Sequence, residues 1–212
     1  LWILIPEVAL AGGDVEDTGF RDTTIKDATL LQQGRLEVML QSAGLWSHDT
    51  SEVAGNEAKT SSLYMNPEVA VGYMVLDQVQ VRGSVGWLKN VTKSDGDTLQ
   101  DFNAGLGAVH GLYHVELPYG TAVYAGLGAG YFYGSTSRPG QTENTTISNT
   151  TTGFVGQGLT GLLLQPGPRF ILRTGLRVDA IFSTESPEAE GSEDISSTNY
   201  RMMGHFGVGM RF

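Results

Sequence analysis

The stretch His205-Phe206-Gly207-Val208-Gly209-Met210-Arg211-Phe212 alternates without a break. Phe206, Val208, Met210 and Phe212 share one parity; His205, Gly207, Gly209 and Arg211 share the other. Successive side chains of a strand point to opposite faces, so one face here is apolar and the other is polar or bare. A strand that is greasy on one side and glycine-lined or charged on the other fits a barrel standing in lipid better than a soluble sandwich.

The same period recurs upstream. From Arg35, residues Leu36, Val38, Leu40 and Trp46 share a face opposite Glu37 and Gln41. A second strand, about Leu63 to Val75, sets Val69, Val71, Tyr73 and Val75 outward against Glu68, Ala70, Gly72 and Met74. A third sets Val79, Val81, Val85 and Trp87 against Gln80, Arg82 and Ser84. In the fourth, about Leu99 to Val115, the expected outward set is Phe102, Ala104, Leu106, Ala108 and Leu112. That choice leaves His110 facing lipid, and a bulge near Gly111 is expected to turn it away. The fifth places Val123, Ala125, Leu127, Ala129 and Tyr131 outside and Gly126, Gly128 and Gly130 inside. The sixth, Thr152 to Leu164, carries Gln157 inward. The seventh has Phe170, Leu172, Leu176, Val178, Ala180 and Phe182 outside with Arg173, Arg177 and Asp179 inside. The last strand is expected to begin near Thr198.

Connections read as short at 76–78, 116–120 and 165–169, and long at 48–61, 89–98, 134–151 and 183–198. Tight turns at one end and long loops at the other are characteristic of bacterial outer-membrane barrels. Trp46, Tyr64, Trp87, Tyr131, Tyr133, Phe182 and Tyr200 fall near the long-loop ends, where an aromatic girdle belongs. The fold expected is all-β: an eight-stranded antiparallel up-and-down transmembrane barrel over residues 34–212, preceded by an irregular arm over 1–33.

Composition agrees. The 212 residues suit one domain, and the absence of cysteine removes disulfides and thiolate metal sites. A net charge of −10 leaves no basic stripe for nucleic acid. The 29 glycines include many inside strand-like runs, where a narrow barrel needs small inward residues. No run of about 18 apolar residues occurs, so helical spans are excluded while barrel strands of about ten residues are not.

On pattern and connectivity, residues 34–212 resemble the small outer-membrane barrels related to OmpA and OmpX. His205, Gly207, Met210 and Phe212 resemble the terminal β-signal that the barrel assembly machinery of such bacteria reads. The resemblance implies a bacterial outer-membrane location with lipid and lipopolysaccharide around the barrel, long loops outside the cell and both termini periplasmic.

The candidate site is the lumen. Glu37, Glu68 and Asp179 share the inward face with Arg82, Arg173, Arg177 and Arg201, and His205 points inward near Arg201. Charge in a narrow barrel must be paired, because an isolated buried ion costs several kcal/mol. The expected outcome is a closed network of salt bridges, with a gated path for protons or small ions as the functional variant. An eight-stranded barrel has room only for its own side chains, which excludes a wide pore.

No catalytic residues, cofactor or metal site are expected. Ser47, His48 and Asp49 are the only cluster of triad-type residues, but neighbours on a strand diverge. Asp95-Gly96-Asp97 and the acids Glu185, Glu188, Glu190, Glu193 and Asp194 lack a full calcium-ligand spacing. Asn90, Asn144 and Asn149 match the glycosylation pattern by chance within Thr-rich loops. The reading is a non-catalytic structural, adhesive or assembly subunit; the alternatives are a lipid A-modifying enzyme and a soluble lipocalin-like barrel. Leu1–Ala11 reads either as a signal remnant, with Ala9-Leu10-Ala11 as the cleavage site, or as a mature arm. A mature arm would need a partner for its apolar side chains, which makes residues 1–33 a candidate contact with an envelope complex.

Overall fold

In the computed structural model, the structure describes residues 31–53, 56–94, 97–140, 145–187 and 194–212, with backbone alone at 48–53 and 56–58. Eight antiparallel strands follow one another around a closed barrel: β1 (Leu36–Val53), β2 (Asn56–Leu76), β3 (Val79–Ser94), β4 (Asp97–Leu117), β5 (Thr121–Pro139), β6 (Thr146–Leu164), β7 (Phe170–Pro187) and β8 (Ile195–Arg211). Closing the sheet on itself removes the free edges that lipid could not satisfy. The expected fold class is borne out.

The outer face is apolar where it must be. Leu127 is 76% exposed and Val85 67%, exposures that make sense for aliphatic side chains facing hydrocarbon and would be a liability in water. Trp46, Trp87, Tyr131, Tyr133, Phe182 and Tyr200 ring one margin of this belt, with Tyr131 and Phe154 packed edge to face at 5.2 Å. Tyr64 does not join them. It is buried inside the lumen, 3% exposed, because it has the parity of Asn66 and Glu68.

β4 reverses the expected facing. Ala104, Leu106, Ala108 and Leu112 are buried with His110 and His114, while Gly105, Gly107 and Gly111 face outward. β4 pairs with β3 and β5 in unbroken register through His110 and Gly111, so the expected bulge is absent; register shifts occur instead at Met74/Leu76 and Thr92/Lys93. One flip of the strand takes two histidines out of the membrane, a larger gain than keeping four aliphatic residues outside.

The stretches expected to be long loops are largely strand. β1 and β2 stay paired to Val53↔Asn56, and β5 and β6 to Pro139↔Thr146, so these hairpins project beyond the aromatic ring as extended ladders. The seam between β1 and β8 is shorter. It runs from Glu37↔Arg211 to Gly44↔Gly204, reinforced by reciprocal backbone bonds between Leu36 and Phe212 at 3.2 and 2.8 Å. Beyond it, among the described residues, the two strands continue without pairing to each other.

At the opposite end the turns are tight. Tyr119 and Gly120, both at positive φ (63° and 67°), bring β4 back into β5. Leu31 folds under this end: its backbone N–H donates to Glu116 Oε1 at 2.9 Å, and its side chain packs with Met74, Leu112, Ala122, Tyr124, Leu159 and Leu163. The arm expected over 1–33 lies outside the described residues except for residues 31–33.

Candidate functional site: a stacked lumen

Inside the barrel, long polar side chains lie along the wall rather than across open space, and glycines make that possible. Tyr124 on β5 reaches His205 on β8 by crossing Gly161 and Gly175, which lie opposite each other on β6 and β7. A Cβ on Gly161 would meet the Tyr124 hydroxyl, the Thr174 carbonyl and the Gly175 backbone. Gln80 likewise crosses Gly72 to donate to Glu37 Oε2 at 2.7 Å, and His110 crosses Gly128 to meet Gln157 at 2.6 Å.

The tier nearest the tight turns is centred on Glu37. Its carboxylate accepts from Arg173 at 3.3 Å and from Arg211, whose Nε lies at 3.0 Å and whose Nη2 is closer still. Arg173 also donates to Gln80 Oε1 at 3.2 Å and lies 4.8 Å from the centre of the Tyr124 ring, while Arg211 reaches Gln165 at 2.9 Å. Arg173, Arg211 and Glu37 are each at most 1% exposed. Two guanidiniums on one dry carboxylate tie together β7, β8 and β1, the three neighbouring strands on either side of the barrel seam.

The middle tier is centred on Arg177. It contacts Glu68 at 2.5 Å and grips Asp179 in a fork, with Nε to Oδ1 at 2.8 Å and Nη2 to Oδ2 at 3.0 Å. Glu68 also accepts from Gln41 and Asn66, both at 2.7 Å, and Gln41 in turn accepts from Arg82 at 3.1 Å. The Gln157 amide is best oriented with its NH2 toward His110 and its oxygen toward Arg177, which satisfies both groups.

Above these tiers an apolar layer crosses the lumen. Ala43, Tyr64, Leu88, Ala104, Leu106, Phe132, Val155, Ile181 and Met203 form one buried cluster, with Phe102 packed edge-on to Phe132. Beyond it lies a polar vestibule of about 250 Å3 at the end where the hairpins project. Its wall includes Arg138, which pairs with Glu185 at 2.8 Å, and Arg201, whose guanidinium lies 4.2 Å above the Tyr64 ring.

The residues singled out in the sequence therefore separate. Glu37 with Arg173, and Glu68 with Arg177 and Asp179, come together in ion pairs. Arg82 joins through Gln41 rather than a carboxylate. Arg201 sits above the apolar layer on Tyr64, and His205 meets Tyr124 rather than Arg201, because the Gly161 and Gly175 path delivers the phenol to it. Arg211 joins the network beyond the expected set: its parity is inward, and its place beside the seam gives it Glu37. His110 and His114 also join the lumen, because β4 faces opposite to the expected sense. On β8, Phe206, Met210 and Phe212 face outward while His205 and Arg211 are buried inside. The side chain of His48 lies outside the described residues, as do Asp95 and the acids 188, 190 and 193. Among the described residues no group of acids and histidines is placed to hold a metal.

No family model matches the chain, and no curated protein matches it. Among solved structures, the outer-membrane protein OprG from Pseudomonas aeruginosa aligns over 85% of this chain and 97% of its own, with a TM-score of 0.51 and 14% identity. The fold is that of the small outer-membrane β-barrels. Neisserial surface protein A aligns over 84% of this chain and 98% of its own at 18% identity and a TM-score of 0.47. The N-terminal barrel domain of Pseudomonas aeruginosa OprF covers 85% and 98% at 15% identity and a TM-score of 0.43. At such identities the likeness is one of fold alone.

Proposed function

We propose that this chain is a sealed barrel of the bacterial outer membrane with a non-catalytic role, bracing the membrane and presenting its projecting hairpins to the surroundings. One observation carries the reading: two tiers of cross-barrel ion pairs and an apolar layer are stacked in the same lumen. A chain of that construction holds its shape and offers no continuous aqueous path. The apolar belt takes membrane lipid and lipopolysaccharide acyl chains as its solvent. The length asymmetry of the connections supports tight turns in the periplasm and hairpins outside. A lipid-modifying enzyme would need its histidine on the lipid face near the membrane surface, whereas the three histidines whose side chains are described, His110, His114 and His205, are all buried inside.

Planar-bilayer recording of the refolded protein is the test. The expected trace shows no steady large conductance at neutral pH, and a reproducible open channel would overturn the sealed reading. Residues 1–33 are proposed as a contact with another envelope protein. Mass spectrometry on native membranes should then find Leu1–Ala11 retained, and a mature terminus at Gly12 would remove that contact.

A further inference from the structure

The structure points to the vestibule as a binding site for a single uncharged sugar ring, the terminal unit of a glycan. The inference rests on the sealed reading in one respect: the apolar layer gives the vestibule a floor.

Several features of the space select this ligand class. Its volume, about 250 Å3, lies just below the range of about 300–1,000 Å3 typical of drug-sized ligands, so it suits one ring and not a longer segment. Its polar wall is dominated by groups that both donate and accept. Asn90, Gln100 and Asn199 each offer a carbonyl and an NH2, and the Thr136 and Thr151 hydroxyls sit 2.8 Å apart. A sugar hydroxyl has the same double character. An anion would call for donors alone and a cation for acceptors alone. Among the described residues, the amides of Asn90 and Gln100 are not engaged by other side chains, whereas the tiers below are closely cross-bonded.

Charge argues against a polyanion. Arg138 and Glu185 neutralise each other, and Arg201, the one remaining charge among the described residues of the wall, is occupied against the Tyr64 ring. With a chain charge of −10, a polyanionic glycan would be repelled on approach. Phe102, half-buried and backed by Phe132, supplies the apolar surface on which the C–H face of a pyranose packs.

Saturation-transfer NMR on the full chain in a sugar-free amine-oxide detergent tests this. The probes are the methyl glycosides of glucose, galactose and mannose, with glucuronate as the charged comparison. Transfer to at least one methyl glycoside is expected, and its apparent affinity should fall about tenfold in the double variant Gln100→Leu/Asn199→Leu, as loss of paired hydrogen bonds implies. The lipid-facing Val69→Ala should bind as the parent does. Folding of each variant is checked by its heat-modifiable gel mobility, with Phe102→Ala as a second variant if the first does not fold. Transfer to none of the methyl glycosides, transfer to glucuronate alone, or transfer unchanged in a folded variant would overturn the site. Bilayer recording of the same samples separates the two readings. An open channel refutes the sealed lumen, while a closed barrel that ignores every sugar refutes only the site.

Discussion

Glu37 is the residue on which the lower tier turns, because Arg173 and Arg211 depend on the same carboxylate in a dry setting. Glu37→Gln keeps the shape and removes the charge, leaving two buried guanidiniums without a counter-ion. Removing one partner of a buried pair costs about 3–5 kcal/mol, so urea unfolding in phospholipid vesicles should show a loss of that size. Glu185→Gln is the contrast. Its partner Arg138 is 43% exposed at the side chain, and an ion pair wetted to that degree is worth about 1 kcal/mol or less. Equal losses from the two substitutions would mean that water reaches the lower tier. Glycine supplies the second prediction at this scale. Gly161→Ala forces a methyl against Tyr124 and the β7 backbone, and overpacking of that kind costs about 1–3 kcal/mol; Gly107→Ala, with open space around it, should be silent in the same measurement. The inward charges were legible from parity alone. Which charge meets which was not, since the pairing depends on glycine paths between strands far apart in sequence, as in Tyr124 to His205.

At the scale of the element, β4 shows where alternation loses its meaning. Ala104, Gly105, Leu106, Gly107 and Ala108 are small enough for either side of a barrel wall, so the aliphatic members favoured an outward reading that the histidines opposed. His110 and His114, four residues apart, share one parity and both need the lumen; together they outweigh Leu106 and Leu112. The projecting hairpins escape the alternation for another reason. Past the aromatic ring both faces of a strand meet water, so the two-residue period fades while the hydrogen-bonded ladder persists, helped by the β-propensity of threonine in β6. The seam yields a prediction of its own. Because β1 and β8 pair with each other only up to Gly44 and Gly204, the amides of Leu45, Ser47 and Tyr200–Met203 that face the seam should exchange with deuterium well ahead of those between β4 and β5, which pair from Asp101↔Ser137 to Leu117↔Thr121. Uniform protection around the barrel, read by hydrogen exchange in micelles, would show that the seam is zipped throughout.

For the whole molecule, orientation decides what the vestibule meets. The two ends differ in kind. One is closed by tight turns and by Leu31 beneath the lumen; the other opens into the vestibule between hairpins that extend past the aromatic ring. If the hairpins face the medium, the sugar site meets glycans outside the cell, and if they face the periplasm, it meets the envelope's own polymers. Single cysteines can be added to the cysteine-free chain at Ile147, 51% exposed near the start of β6, and at Tyr119, fully exposed at the tip of the β4–β5 turn. Expressed in a Gram-negative host, Ile147→Cys should react with an impermeant maleimide on intact cells, and Tyr119→Cys only after the outer membrane is broken. Both sites are exposed and neither contacts the lumen, so a difference in labelling reports the side of the membrane and not local burial. The reverse pattern would turn the barrel over, leaving its sealed lumen intact and assigning the vestibule to the periplasm.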